Sequence, residues 1–158
     1  LIMFYSCSTE EDTGIKTQGT LTVSTVTSEA GGNYAPRNVV AIWVENSSGE
    51  YVKSLLVYAD KYKRFLTNWV SSSSYDVSDA VTGATINTHG TRTCSWDGTD
   101  VDGNMVSDGT YRLCMELTDK NGTGNYHYFE FIKDTIGFTS TPADVSSFSD
   151  ISIIWTPE

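Results

Sequence analysis

NVVAIWVENSSGEYVKSLLVYA spans residues 38–59, and the relation between its two apolar halves decides the fold. NVVAIWVEN (38–46) is almost continuously apolar and rich in β-branched residues, the pattern of a central strand. NSSGE supplies the turn residues, and YVKSLLVYA (51–59) returns as its hairpin partner. Working outward, TLTVSTVTS (20–28) alternates as a strand, and GTRTCSW (90–96) and TYRLCMELTD (110–119) flank the Gly- and Asp-rich connection DGTDVDGNMVSDG. DKNGTGN then turns into YHYFEFIKD (126–134), and SDISIIWTPE ends the chain. KYKRFLTNWV (61–70) stays open between strand and short helix, because Tyr62, Phe65, Leu66 and Trp69 recur at helical spacing. SSSSYDVSDAVTGATINT (71–88) reads as loop. These signals predict an all-β, antiparallel β-sandwich of seven to eight strands, formed as a single domain over residues 17–158.

Composition narrows the partners. Twenty acidic against ten basic residues give a net charge of -10, which opposes binding to nucleic acid or to an anionic membrane surface. The charge reads as solubility. At the start, LIMFYSC runs straight into polar STEEDTG; seven apolar residues are too few to span a bilayer. The small Ser6 before Cys7 and the abrupt polar shift resemble the end of a bacterial lipoprotein signal. That resemblance implies a signal tail over residues 1–6, lipid attachment at Cys7 and a tether over 7–16. The competing reading is an ordinary apolar first strand. With Cys7 lipidated, Cys94 and Cys114 remain, and two readings stay open: a cross-strand disulfide, or two unlinked, half-buried thiols.

WDGTDVDGNMVSDGTYRL (96–113) is similar to the turn-and-strand signature of the Ig-like domain in flagellar hook-capping proteins. Trp96 suits a core anchor there, and Gly98, Gly103 and Gly109 suit tight turns at positive φ. The wider span over most of residues 19–118 resembles a family of predicted periplasmic proteins of unknown function. It implies an exported Ig-like sandwich, in the periplasm or at the cell surface, and gives no activity.

The acidic connection does not read as a calcium loop: with Gly103 at the sixth position, Gly98 and Gly109 fall where the first and last ligands belong. His89 and His127 are the candidate bases, no G-x-S-x-G elbow surrounds a serine, and no catalytic set emerges. DAVTGAT (79–85) is different. It resembles the site at which extracytoplasmic flavin transferases attach FMN through its phosphate to a threonine hydroxyl. The pattern is Asp, two free positions, Ser or Thr, then Gly-Ala-Thr, matched here by Asp79, Thr82, Gly83, Ala84 and Thr85. The resemblance implies that Thr85 carries the phosphoester, that Asp79 belongs to the recognition sequence, and that a flavin transferase is a partner. Arg92 is an expected counter-charge for the phosphate. The resulting expectation is a lipoprotein that relays electrons between envelope redox partners. The alternative is a flavin-free Ig-like module that binds an envelope protein or a glycan, or that stiffens an assembly.

Overall fold

The computed structural model describes residues 14–119 and 124–158. The first hairpin forms as the sequence predicts. Strand β2 (Val39–Asn46) pairs antiparallel with β3 (Tyr51–Tyr58). The Asn46 side-chain oxygen accepts from the Ser48 and Glu50 amides at 2.9 Å each, and Gly49 takes a φ of +81° that closes the turn.

The remaining strands among the described residues are β1 (Gly19–Thr27), β4 (Val81–Gly83), β5 (Thr91–Trp96), β6 (Gly109–Thr118), β7 (Asn125–Lys133), β8 (Phe138–Ser140) and β9 (Phe148–Pro157). They form a four-stranded sheet ordered β5-β1-β9-β8 and a five-stranded sheet ordered β4-β3-β2-β6-β7. The β-sandwich expectation holds. The strand count rises to nine because β4 and β8, three residues each, carry too short a pattern to read. The β3–β4 pair is parallel, unlike the others.

Strand β2 shows why its sequence is apolar throughout. Val40, Ile42 and Val44 face the core between the sheets, packed with Leu21, Val23, Leu113, Trp96 and Trp155. Val39, Ala41 and Trp43 face the other way, into a second apolar layer with Val57, Ala59, Leu66, Trp69 and Cys114. That layer is capped by the segment left open above. It forms a 3-10 helix, Asp60–Phe65, followed by α1, Thr67–Ser73.

The helix is built from TNWVSSS, poor helix formers, and no side chain caps it from its own first turn. A carboxylate from another strand does so instead. Glu116 of β6, itself buried, accepts the Trp69 amide at 2.8 Å, the Asn68 amide at 3.2 Å and the Asn68 side-chain amide at 2.9 Å. Trp69 donates its indole N–H to Ser54 Oγ at 2.9 Å, and Glu45 takes the Trp43 indole N–H at 2.8 Å and the Ser72 hydroxyl at 2.6 Å. All four tryptophans are buried, and each indole N–H has an acceptor, as its loss of water requires.

The WDG connection does not close a hairpin. Strand β5 pairs with β1 and β6 pairs with β2 and β7, so residues 97–108 carry the chain from one sheet to the other. Trp96 anchors the crossing in the core, and Gly98 and Gly103 take φ values of +79° and +81°. Asp108 ends the crossing. It accepts Lys133 Nζ at 2.7 Å and the Thr17 amide at 2.8 Å, which ties β7 and the segment before β1 to this turn.

The same topology separates the two cysteines, in line with the unlinked reading. Cys94 lies in the four-stranded sheet and faces the inter-sheet core, whereas Cys114 lies in the five-stranded sheet and faces the helix layer. Both are free thiols, and both are buried rather than half-buried. Cys7, with the signal tail over 1–6 and most of the tether, lies outside the described residues. Among the described residues, no helix is long and apolar enough to cross a membrane.

Candidate functional site

DAVTGAT lies at the free edge of the five-stranded sheet, and four fixings hold it there. After α1, Ser74 and Tyr75 turn the chain at φ values of +50° and +69°. The Asp76 carbonyl is then caught by the Ser54 hydroxyl at 2.8 Å and the Tyr51 hydroxyl at 3.1 Å. Next, Asp79 adopts a left-handed φ of +58° and sets its carboxylate 3.3 Å from Lys53 Nζ. Lys53 is buried on β3, whereas the Asp79 side chain is 75% exposed. The Asp79 carboxylate thus contacts a buried lysine while staying open to solvent.

Strand β4 is the second fixing. Val81, Thr82 and Gly83 pair in parallel with Leu56, Val57 and Tyr58. Thr82 is exposed. Gly83 lies against the Tyr58 ring: a Cβ there would meet Tyr58 Cδ1 at 3.0 Å and Cε1 at 3.1 Å. Beside this strand, on the side of β5, a cleft of about 420 Å³ opens between Asp79, Val81, Leu55, Thr93 and Ser95.

Thr85 is the third fixing. Its hydroxyl donates to the Ala59 carbonyl at 3.0 Å, and that carbonyl also receives the Tyr62 amide at 2.8 Å. The fourth is Ile86, whose carbonyl accepts the Asn38 amide at 2.9 Å. Thr85 is therefore half-buried between the start of the 3-10 helix and the residues before β2, while Ala84 beside it is exposed.

Those two neighbours carry cations. Arg37 precedes Asn38, donates from Nη1 to the Tyr62 hydroxyl at 3.2 Å, and holds its guanidinium carbon 5.2 Å from the Tyr62 ring centre. Lys61 Nζ lies 5.3 Å from the same ring centre. Two cations thus meet over the ring of Tyr62, whose amide shares the Ala59 carbonyl with Thr85, while Asp60 follows Ala59 in the chain. The sequence carried this signal in KYKRF and in Arg37, but nothing in residue order placed either beside Thr85. Arg92, the counter-charge expected from sequence, is on β5. Its guanidinium is bonded to Thr88 O at 2.9 Å and Thr91 O at 3.1 Å.

The histidine and acidic candidates serve the scaffold. His89 Nδ1 is 3.4 Å from the Thr27 hydroxyl, and burial lowers its pKa, with the nearby charge of Arg92 acting in the same direction. In the WDG turn, Asp97 accepts the Thr99 hydroxyl at 2.6 Å. Asp100 accepts the Asp102 and Asn104 amides at 2.9 Å each, so both carboxylates are used in shaping the loop.

An FMN phosphoester fits these residues on two counts. Thr85 offers an aliphatic hydroxyl whose oxygen keeps a lone pair while it donates to Ala59 O. The flanking cations match a phosphodiester charge.

Neither a curated protein nor a solved structure matches the chain significantly. The family model that does match covers residues 19–142, from the first residue of β1 to just beyond β8, and is described as a predicted periplasmic protein of unknown function. With the greater part of the sandwich inside that match, the chain belongs to the predicted periplasmic protein family DUF2271.

Proposed function

We propose that this protein is an extracytoplasmic flavin carrier, with FMN esterified through its phosphate to Thr85 and electrons relayed between envelope partners. The observation that carries this reading is the complete DAVTGAT match held at an exposed sheet edge, with Asp79 outward and Thr85 half-buried. Membership of a periplasmic family supports it, because extracytoplasmic flavin transferases work in that compartment. A lipid on Cys7 would tether the carrier to the membrane.

The attachment step asks little of this chain. The Thr85 oxygen forms a bond to the FMN-side phosphorus of a flavin dinucleotide, the bond from that phosphorus to the nucleoside monophosphate breaks, and the nucleotide leaves. The hydroxyl proton passes to a base of the transferase, since the hydroxyl's own partner is the weakly basic Ala59 carbonyl. Releasing that hydrogen bond costs about 1 kcal/mol, small enough for modification of the folded protein. The Ala59 carbonyl keeps the Tyr62 amide as its donor. Once bound, the flavin supplies the redox chemistry, and this chain supplies its position and charge environment.

A second reading, a flavin-free Ig-like module with an envelope partner, draws on the opposite end of the sandwich. There Ile132 and Ile136 are exposed beside Phe138 along an apolar groove between β7 and β8. One experiment separates the two. The chain is co-expressed with a flavin transferase, and intact mass and flavin fluorescence are read under denaturing conditions. An FMN adduct that disappears in Thr85→Val supports the carrier. No adduct, or one that survives the substitution, removes it and leaves the binding module.

A further inference from the structure

We propose that Arg37 and Lys61, gathered over the Tyr62 ring, form the seat for the phosphodiester on Thr85. This inference rests on the flavin-carrier reading and adds to it the residues that immobilise the group.

Three observations converge. Thr85 Oγ1 and the Tyr62 amide nitrogen share the Ala59 carbonyl, so the ester oxygen and Tyr62 stand within two hydrogen-bond lengths of each other. Tyr62 in turn positions both cations, Arg37 through the hydroxyl contact and Lys61 over the ring. Finally, the antiparallel Ile86–Asn38 bridge joins the segment before β2 to the attachment segment, with Thr85 opposite Val39 and Arg37 opposite Asn87, two positions along.

The chemistry suits a phosphodiester. A guanidinium carries N–H donors in a planar fork, and Arg37 directs one of them to Tyr62 OH, which leaves others for phosphate oxygens. The Lys61 ammonium adds a point charge from an exposed position. Arg64 turns away onto the Phe65 ring and the Lys61 carbonyl, and Asp60 is the acid of the first helical turn. Esterification also removes the proton that Thr85 donates to Ala59 O, which releases its side chain from that carbonyl.

The test uses the full chain loaded by a flavin transferase. Phosphorus NMR reads the phosphodiester, and flavin fluorescence anisotropy reads how tightly the group is held. In the wild type, the phosphorus resonance is displaced from its position in the urea-unfolded chain, and high salt reduces the displacement. In Arg37→Gln/Lys61→Gln, the adduct mass remains, but the displacement and the excess anisotropy are lost. Lys61→Gln alone, at an exposed side chain that cannot endanger folding, loses part of both. Arg112→Gln, on β6, loses neither. A loaded double variant with wild-type resonance and anisotropy overturns the seat and leaves the carrier standing. Absence of any adduct on the wild type overturns both.

Discussion

Asp108→Asn isolates one charge in the joint that links the two ends of the fold. Lys133 is fully buried, and its ammonium lies 2.7 Å from Asp108 Oδ1 and 3.1 Å from the Val106 carbonyl. The Asp108 side chain is 15% exposed. Asparagine is nearly isosteric here. An amide oxygen at the Oδ1 position still accepts from Lys133 and from the Thr17 amide, and the amide nitrogen meets the Thr17 hydroxyl, which turns to accept. Hydrogen bonding is therefore largely kept, and what is lost is the negative charge facing a buried ammonium. Removing one partner of a buried pair costs about 3–5 kcal/mol, and the retained hydrogen bonds place this variant near 3. Urea titration followed by tryptophan fluorescence measures the loss directly, and a second titration of Asp108→Asn/Lys133→Met returns most of it.

The same carboxylate sets an acid limit. Burial pushes the Asp108 pKa up, but the hydrogen bonds from Lys133 and Thr17 outweigh that and lower it below the ordinary value. The unfolded carboxyl holds its proton more tightly than the folded one, so folding releases a proton in this window. The Asp108 contribution is thus fully present above the unfolded value of about 3.9 and is lost as pH falls through the lower folded value. Asp108→Asn lacks that arm of the pH profile. A variant within about 0.5 kcal/mol of wild type, with an unchanged acid limb, refutes the reasoning.

Other perturbations test the scaffold. Burial pushes the Cys94 thiol up to about 12, and burial with the nearby Glu45 charge raises that of Cys114, so both resist alkylation in the folded protein and react once it unfolds. Labelling of either in the native state contradicts the placement. Gly98→Ala forces a side chain into a φ of +79° with its Cβ 3.0 Å from Lys133 Cε and Met105 Sδ, and is expected to lower stability by at least about 1–2 kcal/mol in urea titration. Glu116→Ala leaves the Asn68 and Trp69 amides without their acceptor and is expected to cost about 3 kcal/mol, with loss of the near-ultraviolet circular dichroism of Trp69.

What the sequence showed and what it hid have physical reasons. The apolar run 38–46 announced a central strand because both faces of β2 are covered, one by the second sheet and one by the helix layer. Residues 61–70 stayed ambiguous because α1 has little helical preference of its own and is capped by Glu116, some 48 residues along the chain. The chain could not reveal that β5 and β6, neighbours in sequence, belong to different sheets, since a turn-rich connection looks alike whether it closes a hairpin or crosses a sandwich. That crossing sets Cys94 and Cys114 in different sheets, which is why residue order alone left their pairing open. At the site, the order of residues from Asp79 to Thr85 gave the motif, but its links to the 3-10 helix and to the segment before β2 run through the Ala59 carbonyl and the Asn38–Ile86 bridge, both tertiary contacts. Arg92, near in sequence, donates to the Thr88 and Thr91 carbonyls.

The central claim is the chemical state of one oxygen. Trypsin cleaves after Arg64 and Arg92, which releases residues 65–92 as one peptide holding Thr82, Thr85 and Thr88 together. Fragmentation of that peptide, taken from protein matured with a flavin transferase, is predicted to place an FMN phosphoester on Thr85 alone. The adduct on another residue, or an unmodified peptide, contradicts the account.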